Sequence, residues 1–146
     1  MSDTHTALTH EWVTLQNNHE QYERSALLIK LMAILVFAAA SLWLHAAAPR
    51  SCVFFVILCF VLCALWLQEA IVRTSQARIG ERLLRIEACE RGEAHGHALQ
   101  LHSEWLASRK GSIGLLGEYA TQALRPTIAF PHALLVIATI ALALNP

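Results

Sequence analysis

This chain is short of charge. Only 15% of its 146 residues are Asp, Glu, Lys or Arg, against roughly 25% in an ordinary soluble domain. The eleven basic residues are matched by eleven acidic ones, so no basic surplus points to nucleic acid as a partner. Cysteine is sparse as well: positions 52, 59, 63 and 89 show none of the paired spacing of a zinc ribbon or a redox motif. They read as small apolar residues, and only Cys52 is placed where it could bridge two subunits. The chain has no internal repeat and no low-complexity tract. It also lacks a nucleophile beside a base, a carboxylate pair within an apolar run, and a phosphate loop. "GSIGLLG" neither follows a strand nor ends in Gly-Lys-Ser/Thr. Nothing here implies a cofactor or an enzyme.

Apolar residues make up the balance, 55% of the chain with a mean hydropathy of +0.44. Crossing a hydrocarbon core takes about 20 helical residues, and three segments qualify. The first runs from Ala26 to Leu44, with Lys30 its only charge. The second runs from Cys52 to Leu67, lengthened by Ala70, Ile71 and Val72 if Gln68 and Glu69 sit at the headgroups. The third, Thr127 to Leu144, carries no acid and no fixed base. The polar, acidic stretch before the first segment is unlike the short basic start of a signal peptide. The expected class is an all-α membrane protein of three transmembrane helices, with a lipid bilayer as its main surroundings. Residues 26–45, 52–72 and 126–144 form the spans, and 46–51 an outer turn.

Arginine sets the orientation. Arg73, Arg78, Arg82, Arg85, Arg91, Arg109, Lys110 and Arg125 all lie between the second and third segments, whereas the "HAAAPRS" turn carries only Arg50. The positive-inside bias then makes the N-terminus and residues 73–125 cytoplasmic and the C-terminus external, in a membrane of the bacterial inner type. Trp43 and Trp66 fall at opposite faces, as interfacial anchors.

Two apolar seams outlast the spans. Leu8, Trp12, Leu15, His19, Tyr22, Ala26 and Ile29 alternate in steps of four and three, a heptad-like stripe that enters the first span in register. Val72, Ile79 and Ile86 are seven apart, thickened by Leu83 and Cys89, with Glu81–Arg85 and Glu87–Arg91 spaced for surface pairing. No proline or turn signal interrupts "ALWLQEAIVRTSQARIGERLLRIE", residues 64–87. One helix is therefore expected from Cys52 to about Glu90, and a second from the 1–25 arm through the first span. With the short turn around Pro49, spans one and two form an antiparallel hairpin extended into a cytoplasmic stalk. The seams meet within one chain or between subunits; both pairings are open. His19 on its seam suits a polar register-setting position.

Gly92 and Gly96 end the long helix. A short helix is expected over Ala98–Ser108, carrying Leu99, Leu101, Trp105 and Leu106. After it, the glycines at 111, 114 and 117 weaken a helix. Ile113, Leu115, Leu116, Tyr119 and Leu124 are nonetheless too apolar for a solvated linker, so this segment reads as interfacial. His95, His97 and His102, with Glu93 or Glu104, have donor atoms for a metal but match no standard spacing. An exposed turn explains them as well, and no metal is assigned.

Three ionisable residues within the spans are the candidate functional positions. Lys30 lies a turn inside the first span, where it can line an ion path, snorkel, or meet Glu69 at the same level. In "FPHA", Pro131 frees a backbone carbonyl and His132 places an imidazole inside the membrane, for proton transfer or for holding the kink. The leading expectation is a non-enzymatic assembly, scaffold or accessory subunit, either a homo-oligomer or part of a larger membrane complex. The small-residue run "AAASLWLHAAA" would permit close helix contact. A homo-oligomeric channel, pore-forming effector or transporter is the alternative, and a membrane enzyme subunit the third. A spanning hairpin with long cytoplasmic helices resembles small bacterial membrane modules, pore-forming effectors among them. That is an analogy of architecture alone.

Overall fold

The structure, a computed structural model, describes residues 2–46, 51–91 and 111–144. Within them the chain is helical: α1 Ser2–Ala46, α2 Cys52–Glu90, α3 Ser112–Ala123 and α4 Pro126–Leu144. Three of these, α1, α2 and α4, are long and apolar enough to cross a membrane, which suggests an integral membrane protein. The Ala98–Ser108 helix and the histidines at 95, 97 and 102 lie outside the described residues.

α1 and α2 have 45 and 39 residues; at 1.5 Å per residue each is about twice as long as a ~30 Å hydrocarbon core is thick. Neither contains proline, so no ladder hydrogen bond is lost along them. Ser51 immediately precedes α2, and its carbonyl accepts from the amides of Phe54 and Phe55. α3 forms despite Gly114 and Gly117 because one of its faces is docked on α2. Pro126 opens α4 at the first helical position, where its missing N–H is no loss and its fixed φ already suits a helix. The carbonyl of Arg125 starts the ladder by accepting from Ile128 and Ala129.

The helices pack through two apolar clusters with a polar layer between them. In one, Leu15 from α1 meets Leu83 and Ile86 from α2, with Trp12 and Ile79 against them. In the other, Ala33 from α1 meets Leu58 and Leu62 from α2, with Leu135 and Val136 of α4 and Val36, Phe37 and Phe54 around them. As residue numbers rise on α1, those of its α2 neighbours fall. The remaining apolar surface is open: Leu28, Leu35, Val56, Phe60, Phe130 and Ile137 are all exposed, as lipid-facing residues must be.

Among the seam residues, Trp12, Leu15, Ile79, Leu83 and Ile86 form the first cluster, while Val72 and Tyr22 are half-buried. The side chains of Leu8 and Cys89 lie outside the described residues. His19 is half-buried and faces Gly80, where an added Cβ would meet its Nε2 at 3.9 Å. Glu11 and Arg82 are buried on the same faces. Nε and a terminal nitrogen of Arg82 both donate to Oε1 of Glu11 at 2.9 Å.

Candidate functional site

Lys30, Glu69 and His132 come from three different helices and meet at one point. Glu69 has no exposed surface and His132 only 1%. Neither carboxylate nor imidazole could be held there without partners, since an isolated buried charge is strongly unfavourable. His132 Nε2 lies 2.8 Å from Glu69 Oε2. Lys30 Nζ lies 3.2 Å from the other oxygen, Oε1, and Arg73 Nε lies 3.9 Å from that oxygen, one helical turn along α2. As a carboxylate, Glu69 only accepts, so the imidazole donates to it through Nε2–H. Among the described residues His132 Nδ1 has no hydrogen-bond partner, and Glu69 Oε1 accepts no well-aligned hydrogen bond although two cations flank it.

Lys30 does a second job. Pro131 has no N–H, so the carbonyl four residues earlier, that of Thr127, loses its helical donor. Lys30 Nζ donates to that oxygen at 3.0 Å. One ammonium thus faces the α2 carboxylate and replaces a missing backbone bond in α4. This couples the position of α1 to the proline of α4.

Trp66 covers one face of the imidazole. Its indole stacks on His132 with ring centroids 6.2 Å apart and planes 9° from parallel, and its Nε1–H donates to the Ala123 carbonyl at 3.0 Å. Ala123 is the last residue of α3, where carbonyls lack intrahelical donors. The indole therefore fixes both the imidazole plane and the α3–α4 joint. Farther along, Arg78 and Glu118 pair at 2.6 Å and hold α3 to α2. α3 thus lies lengthwise on α2, since the partners of its residues 123 and 118 on α2 are residues 66 and 78.

Of the residues singled out from sequence, Lys30, Glu69 and His132 are brought together, and Glu69 faces the helix interface while its neighbour Gln68 is exposed. Arg73, Trp66 and the carbonyls of Thr127 and Ala123 were not singled out as site groups. A signal existed for three of them: Arg73 is at i+4 and Trp66 at i−3 from Glu69, and Thr127 is at i−4 from Pro131. On the Ala46 side, the Ala33, Leu58 and Leu62 cluster with Leu135 and Val136 seals the polar layer. The next buried hydroxyl on α4, Thr139, is two turns from His132 and already donates to the Leu135 carbonyl. That is about 10 Å along the helix axis. Compared with known protein families, curated proteins and solved structures, the chain matches none.

Proposed function

We propose that this chain is a non-enzymatic assembly, scaffold or accessory subunit of a bacterial-type inner membrane, built on a transmembrane hairpin whose cytoplasmic extension forms a coiled-coil-like stalk. The observation that carries this reading is the closure of the polar layer on itself. The intramembrane charge Lys30, and Glu69 and His132 beside it, are engaged with one another, with Arg73 and with a proline-freed carbonyl, between two apolar clusters. Such an arrangement fixes helices against one another. That mutual engagement supports a structural role for the three groups over one in transport.

The stalk reading draws on the same kind of support. Leu15, Leu83 and Ile86 are buried, like Ala33, Leu58 and Leu62 of the other cluster, and the buried Glu11–Arg82 pair fixes their register in this reading. These contacts support pairing of the seams within one chain. A channel or transporter is the second reading, favoured by the two buried polar atoms without a well-aligned partner, Glu69 Oε1 and His132 Nδ1. Ion flux through vesicles containing the purified chain separates the two. The scaffold reading expects flux no greater than that of empty vesicles; selective flux abolished by Lys30→Leu or His132→Leu would overturn it. Labelling of cysteines introduced at positions 16 and 100 tests orientation. Both should react only from the cytoplasmic side.

A further inference from the structure

We propose that the polar layer is a binding site for resident water, held at Oε1 of Glu69 and Nδ1 of His132. The inference goes beyond the assembly reading, because water bound there satisfies the two atoms that favour the transport reading without any ion moving. Among the described residues, these two are the buried side-chain atoms that no protein group pairs with. Their side chains are 0% and 1% exposed. Buried polar groups are satisfied by protein or by ordered water as a rule, since an unpaired one carries its full desolvation cost.

The donors nearest the layer are aimed elsewhere. The indole N–H of Trp66 donates to the Ala123 carbonyl, Lys30 Nζ to the Thr127 carbonyl, and a terminal nitrogen of Arg73 to Oε1 of Gln76 at 2.7 Å. Trp66 lies parallel to the imidazole, whereas a partner for Nδ1 must approach along the plane of the ring. The indole therefore leaves that direction alone. Nor do the two atoms serve each other: a carboxylate oxygen only accepts, and so does Nδ1 of a neutral ring that gives its one N–H to Glu69.

Charge and donor count select the occupant. A metal cation at Oε1 would stand against Lys30 and Arg73, whose nitrogens are 3.2 and 3.9 Å from that oxygen. An anion brings no donor to two acceptors, and an acyl chain brings none either. Water brings two donors and two lone pairs. It donates to Oε1, and it serves Nδ1 in either protonation state, giving a proton to the neutral ring or accepting one from the imidazolium. It also has an approach, because the charged side chains bordering Oε1 are 22% and 24% exposed, and such groups face protein or water.

The test is magic-angle-spinning NMR on the full chain in vesicles of phosphatidylcholine and phosphatidylglycerol, with isotope-labelled histidine and proline. His132 is the one histidine that follows a proline, so its signals identify themselves. Polarisation should pass from water protons to His132 Nδ1, whose resonance should be that of a hydrogen-bonded nitrogen. The buried Thr139 side chain, already bonded to the Leu135 carbonyl, should receive none. A free-imine resonance at Nδ1 without transfer would overturn the proposal, and so would a hydrogen-bonded one without transfer, which would mean a protein partner. Transfer that survives Lys30→Met supports bound water; transfer lost while the His132–Glu69 contact is retained would assign it to relay through the ammonium and overturn the site. Independently of any variant, a crystal structure that shows ordered solvent should place water oxygens within about 3.2 Å of both atoms, and a protein donor in their place would refute it. Ion flux in the vesicle assay would sink the scaffold reading and leave this one standing, so the two fail separately.

Discussion

Replacing Lys30 by methionine tests how much the polar layer holds the three long helices together. The ammonium lies 3.2 Å from a carboxylate oxygen with no exposed surface. At an effective dielectric of about 20, the gross attraction at that distance is about 5 kcal/mol. Much of it is offset by desolvation, and Lys30 itself is partly exposed, which admits screening. Arg73 and His132 also stay with Glu69, so the carboxylate is not left alone. Against that, the Thr127 carbonyl loses its one side-chain donor, and hydrogen bonds across membrane helices average about 0.6 kcal/mol. The expected net loss is about 2–3 kcal/mol, below the ~3–5 kcal/mol of a fully buried pair broken on one side. Unfolding in mixed micelles of increasing SDS content, followed by far-ultraviolet circular dichroism, measures it. Pro131→Ala restores an N–H opposite Thr127 and should reduce the cost of Lys30→Met by about the value of that one bond. A Lys30→Met variant as stable as the parent would refute the coupling. So would a cost that stays the same with Pro131→Ala while the parent's geometry is retained.

Gly80→Ala should stabilise the chain by up to about 1 kcal/mol, because alanine favours the helix and its Cβ meets only the edge of His19 at an ordinary contact distance; a lower SDS midpoint would refute this. Ile86→Asp buries a carboxylate in the Leu15 and Leu83 cluster and should cost a few kcal/mol, while Leu84→Asp, two residues earlier and exposed, should cost less than about 0.5 kcal/mol. Limited proteolysis in membranes reads the difference, and equal cleavage of both variants would mean that the cluster is not closed. Arg82→Met takes the guanidinium from the buried Glu11 carboxylate and should cost up to about 3–5 kcal/mol, whereas the double change Arg82→Met with Glu11→Leu should recover most of it; failure of the double variant to recover would make the pair's role one of packing alone.

Much of the helical plan is legible in the sequence, because hydrophobic period and the absence of proline report directly on backbone. The continuous helix through residues 64–87 is read from what is missing there, and so are the apolar runs of α1, α2 and α4. Side-chain pairing is harder. Glu11 and Arg82 look like ordinary surface charges, yet Glu11 is three residues after Leu8 and four before Leu15, and Arg82 is three after Ile79 and four before Ile86. Opposite charges at matching places on two seams are the readable sign of a buried pair. α3 was obscured by its glycines, since propensity undervalues a short helix that a neighbour holds in place. Trp66 reads as a membrane-belt residue, and nothing local announces that its ring stacks on His132, which is distant in sequence. The candidate site is therefore visible as three suspicious residues, while their joining depends on contacts that only the fold supplies.

The lysine shared between Glu69 and Thr127 has a consequence for biogenesis. The ribosome makes α1 and α2 before α4, so Lys30 enters the lipid when neither the imidazole nor the proline-freed carbonyl exists. A lone lysine near the middle of a spanning helix adds about 2.5–3.5 kcal/mol to insertion, and less toward its end. Until residues 127–132 emerge, Glu69 on α2 is the anion at hand for it. A nascent chain halted before Pro126 would present that ion pair, along with an indole lacking its stacking partner, on a surface meant for α4. Polar groups exposed to lipid in this way are costly until they are paired. The same contacts that set the mature geometry thus mark an unfinished chain, and completion of the last helix is the event that conceals the mark.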